Sequence, residues 1–389
     1  MKIFSPEISA PRARGRGASL SSFIKKGWAL LFLLLVFLLA GAGTPASKPE
    51  PIVLQKETLP FTAKEFHIAD IVDERPNKKA VAFLLPSSSS PATTAQPIDL
   101  KDGAVTGMKN YVRQSLKQNQ ALRPIIIRVK EYQLRESPAE KGRVAGQAKI
   151  TLAFEVKREG KYLHLLDYTA SAGYVRPLAM PPSMVEPMLR RLLAGSLRYL
   201  TTWVNQEAPG NEKLAHSIKV HFEGYQQSMD DDTMFYDPKR PLTWADFQGG
   251  SRLSKGYAAS VFPGISNEIQ ASVEDGVLQI RIISKPYMLR NLSKALPQAK
   301  DDYTLNHEQR HFDIVKLVSE HYKQRITPEK LTLEDYESQI KYQYLEVLWE
   351  LDKLQKQYDQ ETDHGLNHAA QARWNQKIDT ELQSLKVKP

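Results

Sequence analysis

The chain has no cysteine among its 389 residues. This excludes a disulfide scaffold, a thiolate zinc finger, an iron–sulfur cluster and a cysteine nucleophile, so any metal site must draw on His, Asp or Glu. Charge of one sign is also in short supply over the body of the chain. The formal net charge is +9, but six cations (Lys2, Arg12, Arg14, Arg16, Lys25, Lys26) less Glu7 put +5 of it ahead of the first apolar run, leaving +4 for everything after. That is a weak field for phosphate, and no basic stripe interleaved with aromatics follows, so nucleic acid is not expected as a partner. A charged content of 25% with 41% hydrophobic residues fits a globular chain rather than a disordered one.

Long apolar runs are scarce too. The one that stands out is GWALLFLLLVFLLAGA, Gly27–Ala42, behind a basic flank and ahead of small and polar residues. It is short of the ~20 residues a spanning helix needs. The layout is that of a secretory signal peptide, with Ala40-Gly41-Ala42 as the cleavage site; an uncleaved anchor, with membrane attachment through residues 27–42, is the alternative. Either way the body is expected to be exported, to the periplasm or cell envelope, with the basic leader kept in the cytoplasm.

The expected organisation is a signal or anchor segment over 1–43, a linker over 44–58, an α+β accessory domain over 59–206, a second linker over 207–218 and a C-terminal domain over 219–389. In the accessory domain, EFHIADIVDE and AVAFLLP read as strands or one interrupted strand. PIIIRVKEYQL, RVAGQAKITLAFEVKRE and KYLHLLDYTASAGYV are β-branched and partly alternating, and Glu159-Gly160 marks a turn. Apolar spacing predicts helices over 100–117 and 184–204, giving a sheet of three or four strands with two helices on it. His67 and His164 stand alone in strand patterns and read as packing or surface residues. The C-terminal domain is expected to start β-rich, with a hairpin at Asp275-Gly276, and to end helical, over Thr304–Ile326, Thr332 to about Tyr358, and Leu366–Leu385. Asp230–Asp232 lack the spacing of a calcium loop and read as solvated charge.

The chemistry concentrates in DDYTLNHEQRHFDI, where His307-Glu308-Gln309-Arg310-His311 spells H-E-x-x-H. On a helix, positions i and i+4 are about 400° apart, so both imidazoles leave one face a turn apart and can meet one Zn²⁺. Glu308, rotated about 100° from His307, stands beside the metal and can act on its water, whose pKa zinc lowers towards 7. Leu317 occupies the position where a metzincin would carry a third histidine. An open catalytic site needs a third protein ligand. Glu320, His321, Asp363, His364 and His368 are the candidates. Glu320 and His321 are carried away along the motif helix, and His364, in the break before Gly365, is favoured. Tyr358 is a candidate donor to the oxyanion or, alternatively, a buried helix-end residue. Trp244 and Phe247 read as core anchors.

NHEQRHFDI, YDQETDHG followed by AAQARW, and LTWADFQG together resemble a bacterial family of predicted secreted zinc-dependent proteases, domain of unknown function 922, over about 220–385. The resemblance implies a zincin-like domain in an α+β protein, with His307, His311 and His364 as Zn²⁺ ligands and Glu308 as catalytic residue. It also matches Asp313, which implies a role in orienting the ligands or in helix packing. Where that family often carries Ser-Trp before the motif, this chain reads PYMLRNLSKAL. The expected activity is an exported zinc metallopeptidase acting on peptide or protein. The alternatives are an envelope binding or assembly protein with a structural or vestigial zinc site, and a zinc amidase of cell-wall peptide.

Overall fold

A computed structural model describes residues 50–387 apart from 88–93, 226, 228 and 254–256. The apolar run at 27–42, its basic leader and most of the 44–58 segment lie outside the described residues. The described residues from 51 onward form one compact unit, of α+β class, and no helix among them is long and apolar enough to cross a membrane.

The first half is a six-stranded sheet carrying two helices. In chain order these are β1 (Phe66–Asp73), β2 (Ala82–Leu84), β3 (Gln96–Ile98), α1 (Ala104–Ser115), β4 (Arg123–Ala139), β5 (Arg143–Arg158), β6 (Lys161–Pro177) and α2 (Val185–Glu207). β4, β5 and β6 form a long antiparallel meander. β1 and β2 pair in succession along the other edge of β4, both parallel to it. They are thus two pieces of one interrupted strand position. The sheet is larger than the three or four strands expected, because β3, which contains Pro97, closes the edge beyond β2 in only three residues. Apolar side chains of the sheet meet Met108, Tyr111 and Val112 of α1 and Leu189, Leu193, Leu197 and Leu200 of α2 in one core.

The second half begins within what the sequence suggested as a linker. Glu212–Leu214 form a 3₁₀ turn, and Ser217 already opens β7 (Ser217–Gly224). There follow β8 (Met229–Asp230), β9 (Thr233–Phe235), β10 (Ala259–Ser260), β11 (Pro263–Glu274), β12 (Val277–Leu289) and β13 (Lys294–Ala295). β11 and β12 make the hairpin that Asp275-Gly276 signals, and both turn residues have positive φ (50° and 74°), as a tight two-residue hairpin requires. β7 runs parallel to the first part of β12, and β9 pairs antiparallel with its end. Asp231 and Asp232 occupy the β8–β9 turn, where Asp232 Oδ2 accepts from Asn291 Nδ2 at 2.7 Å.

Three helices complete the fold: α3 (Asp302–Arg325), α4 (Tyr336–Thr362) and α5 (His368–Ser384). Asp301 caps α3, its Oδ1 accepting from Thr304 N at 2.7 Å, and Asn367 caps α5. α3 lies between the sheet and the other two helices, with Ile314, Val315, Val318 and Tyr322 in the core shared by all of them. α4 ends at Thr362, about one turn later than the apolar spacing suggested. The reason is that Tyr358 and Thr362 continue its buried stripe, and the Thr362 hydroxyl donates to Tyr358 O at 2.7 Å. This extra turn carries Asp359.

Candidate metal centre

His307 and His311 sit on α3, which is covered on several sides, so both imidazoles are buried. Their Nε2 atoms are 3.2 Å apart. Asp359, from the last turn of α4, brings Oδ1 to 3.4 Å from His307 Nε2 and 3.0 Å from His311 Nε2. These are the three residues among those described whose ligand atoms gather within 4.8 Å of one another.

Two glutamines set the histidine tautomers. Gln355 Nε2 donates to His311 O at 2.9 Å, which turns its Oε1 towards His311 Nδ1, where it accepts. Gln371 Nε2 donates to Asn375 Oδ1 at 3.0 Å, and its Oε1 accepts from His307 Nδ1 at 2.9 Å. Each Nδ1 is therefore the protonated nitrogen, and each Nε2 presents a lone pair towards the other and towards the Asp359 carboxylate. Three convergent lone pairs repel one another unless a positive charge lies between them. Ligands held at about 2.1 Å around a tetrahedral ion stand about 3.4 Å apart, close to the observed 3.0–3.4 Å. The donor set, two imidazoles and a carboxylate, is one that suits Zn²⁺.

Glu308, buried beside the pair, accepts from the backbone N–H of Val261 at 2.6 Å through Oε2. Burial pushes its carboxyl pKa upward despite the pull of His311 and His307. For Asp359 burial acts in the same direction, but when the imidazoles carry protons on Nε2 in place of a cation, their hydrogen bonds and charge outweigh it and hold its carboxyl well below the usual range. One carboxylate is thus kept anionic as a partner to the imidazoles, while burial shifts the other upward.

The trio forms the floor of a cleft of about 380 Å³. One wall is the segment running from Tyr257 through β10 to Pro263; the other is the α4–α5 turn with His364, Leu366 and His368. That turn has three successive residues at positive φ, Asp363 (50°), His364 (51°) and Gly365 (87°). A Cβ on Gly365 would lie 3.4 Å from the His307 ring.

The other residues suggested by sequence fall as follows. The structure puts His364 at the cleft rim, Nδ1 3.7 Å from Asp359 Oδ1, outside the group of three. His368 also lines the cleft but stacks on Tyr303 at 4.1 Å. Glu320 pairs with Lys316 and Lys323, and His321 with Glu350, further along α3. Tyr358 is fully buried, stacked on His307 at 4.8 Å, and its hydroxyl accepts from Gln371 Nε2 and donates to His307 O. It is a packing post behind the imidazoles, not a donor into the cleft. Asp313 is wholly buried and accepts from Tyr236, Gln309 and Arg310, tying α3 to the segment after β9. Trp244 and Phe247 pack together at 5.1 Å, Phe247 inside a small core with Met234, Met288 and Phe312, and Trp244 against its edge.

Sequence reasoning missed Asp359, because the expected helix ends one residue before it and YDQET offers no further apolar residue to extend the stripe. Gln355 and Gln371 had no signal at all, since a neutral amide on a helix looks like solvent-facing surface.

No protein-family model matches this chain, and no curated protein matches it. Among solved structures, a Xanthomonas campestris protein of the DUF330 family is 11% identical with a TM-score of 0.26, covering 40% of this chain and 94% of its own. A minor lipoprotein from Acinetobacter baumannii is 13% identical with a TM-score of 0.21, covering 36% and 93%. Likeness at this level carries nothing about the site.

Proposed function

We propose that this protein is an exported zinc-dependent metallopeptidase of the H-E-x-x-H type, similar to the domain of unknown function 922 proteins, with a zincin-like C-terminal half. The observation that carries the reading is the convergence of His307 Nε2, His311 Nε2 and Asp359 Oδ1 beside a buried Glu308 at the floor of an open cleft. His307, His311 and Asp359 would hold the ion, and Gln371 and Gln355 would fix the imidazoles in the ligating tautomer. A divalent cation held there would polarise a carbonyl and acidify water.

The chain's own residues supply the rest. Glu308, oriented by Val261 N–H, takes a proton from water as the water oxygen bonds to the carbonyl carbon. It returns that proton to the nitrogen as the C–N bond breaks, leaving a carboxylic acid and an amine. Among the described residues β10 pairs with β13 alone, and Ala258–Val261 line the cleft. The edge of β10 away from β13 suits an extended peptide added as a strand. Export rests on the Gly27–Ala42 run and its basic flank.

The test is zinc content by mass spectrometry on the purified chain together with hydrolysis of casein and of purified cell-wall peptide. One zinc per chain and hydrolysis reduced about 10²–10⁴-fold by Glu308→Gln are expected. Metal-free wild type, or proteolysis untouched by Glu308→Gln, overturns the reading.

A further inference from the structure

His364 is the unused chemical group in this cleft. It stands on a turn built to present it. The backbone at residues 363–365 is left-handed throughout, at a cost of order 1 kcal/mol for each non-glycine residue. Three hydrogen bonds hold it there: His364 N to Asp359 O at 2.9 Å, Asn367 N to Thr362 O at 2.7 Å, and Tyr303 OH to Gly365 O at 2.7 Å. The side chain is nevertheless 40% exposed. Neither ring nitrogen has a hydrogen-bond partner among the described residues; the nearest charged atom, Asp359 Oδ1, is at 3.7 Å, beyond hydrogen-bond reach. The ring instead rests against Tyr257, from the opposite wall, with centroids 4.9 Å apart.

This arrangement argues against a ligand and for a donor. Two atoms bound to one ion at about 2.1 Å each can be no more than about 4.2 Å apart. His307, His311 and Asp359 satisfy that limit mutually, and His364 does not join their group. Strain held by surrounding bonds, a rigid turn and a half-exposed imidazole with no hydrogen bond to its nitrogens among the described residues describe a group placed to meet something that enters the cleft.

We propose that His364 is a catalytic residue that donates an N–H hydrogen bond to the carbonyl oxygen of the scissile bond as that oxygen gains negative charge, with Tyr257 as the positioning residue that fixes its ring. The proposal rests on the metallopeptidase reading above. The donation changes no covalent bond; it lowers the energy of the charge-bearing state, which one such donor typically favours by about 10²–10³-fold in kcat.

The experiment compares wild type, His364→Asn and Asp359→Asn as full-length, zinc-loaded proteins. Asparagine tolerates the left-handed backbone, so the turn survives the substitution. Zinc stoichiometry, the visible spectrum of the cobalt-substituted protein, kcat and KM on a casein-derived peptide, and affinity for a phosphonamidate peptide that mimics the tetrahedral state are all measured. His364→Asn is expected to keep one zinc and an unchanged cobalt spectrum, with kcat down about 10²-fold, KM nearly constant and phosphonamidate affinity reduced in parallel with kcat. Metal loss comparable to that of Asp359→Asn would make His364 a ligand and overturn the proposal, as would unchanged kcat and phosphonamidate binding. If the wild type binds zinc but cleaves no peptide, the peptidase reading fails separately, and equal phosphonamidate affinity in wild type and His364→Asn then sinks the donor role.

Discussion

The backbone N–H of Val261 donates to Glu308 Oε2 at 2.6 Å. The link between β10 and β11 at the cleft wall thereby fixes the carboxylate that the chemistry needs, and one carboxylate oxygen is committed while the other is left for proton exchange. Glu308→Gln can still accept from Val261 through its amide oxygen, so the fold and the trio of ligand atoms survive the change. The expected result is a thermal midpoint no lower than wild type and full zinc content, with kcat reduced by about 10²–10⁴-fold. Calorimetry, metal analysis and steady-state kinetics on one preparation check all three.

Asp359 and Gln371 stand at different distances from the ion they would serve, and this separates their variants. Gln371→Ala removes the acceptor on His307 Nδ1 and frees the ring to change tautomer; zinc affinity should fall by about 10–100-fold. Asp359→Asn replaces the anionic donor itself, and its loss of affinity should exceed that range. Competition titration against a chromogenic chelator gives the order; Asp359→Asn binding more tightly than Gln371→Ala would remove the carboxylate from the ligand set.

Much of this site could be read in the sequence, and what could not has physical causes. The H-E-x-x-H spacing fixes three side chains to one helix by geometry alone, and Asp275-Gly276 marks its hairpin because only certain residues accept positive φ. Asp359 was hidden because the stretch YDQET looks polar throughout. Only tertiary packing shows that Tyr358 and Thr362 face the core, so that the helix continues and Asp359 comes to lie beside the histidines. The short strands β3, β10 and β13 are two or three residues each. They are made by pairing between short segments distant in the chain rather than by their own composition, so no local pattern announces them.

Far from the cleft, Glu136 and Arg176 form a buried pair at the end of the large sheet. Glu136 accepts from Arg176 Nε and Nη2 at 2.7 Å each, from Tyr174 OH at 2.6 Å and from Leu85 N at 2.8 Å. Burial opposes ionisation here, but these donors outweigh it and lower the carboxyl pKa below its ordinary 4.5. A depressed folded-state value means that the pair's stabilisation is present above about pH 4.5 and is lost as pH falls through the lower folded value. Wild type should therefore lose stability progressively below pH 4.5, and Glu136→Gln should show a flatter acid limb. At pH 7 Glu136→Ala should cost about 3–5 kcal/mol, because Arg176 is left buried without its anion. Urea melts between pH 3 and 7 measure both.

The two halves of the molecule are joined at the β5–β6 turn, and this joint sits at the foot of the helix that supplies Asp359. Glu159 accepts from Leu333 N at 3.1 Å and Glu334 N at 3.2 Å, just ahead of α4, while Arg158 Nε donates to Glu334 Oε1 at 2.6 Å and Nη1 to Glu212 O at 2.7 Å. The Arg158–Glu334 side chains are only 13% and 10% exposed, so solvent screens them little and each bond to a charged group is worth about 1.5–3 kcal/mol. Glu159 has φ of 49°, which asparagine also accepts. Arg158→Ala with Glu159→Asn should therefore break the joint without straining the turn. Wild type should unfold in one calorimetric transition, and the double variant in two, one for each half. A single transition in the double variant would mean that the halves are held together mainly by contacts elsewhere, among them Arg123 Nε donating to Leu214 O at 2.6 Å.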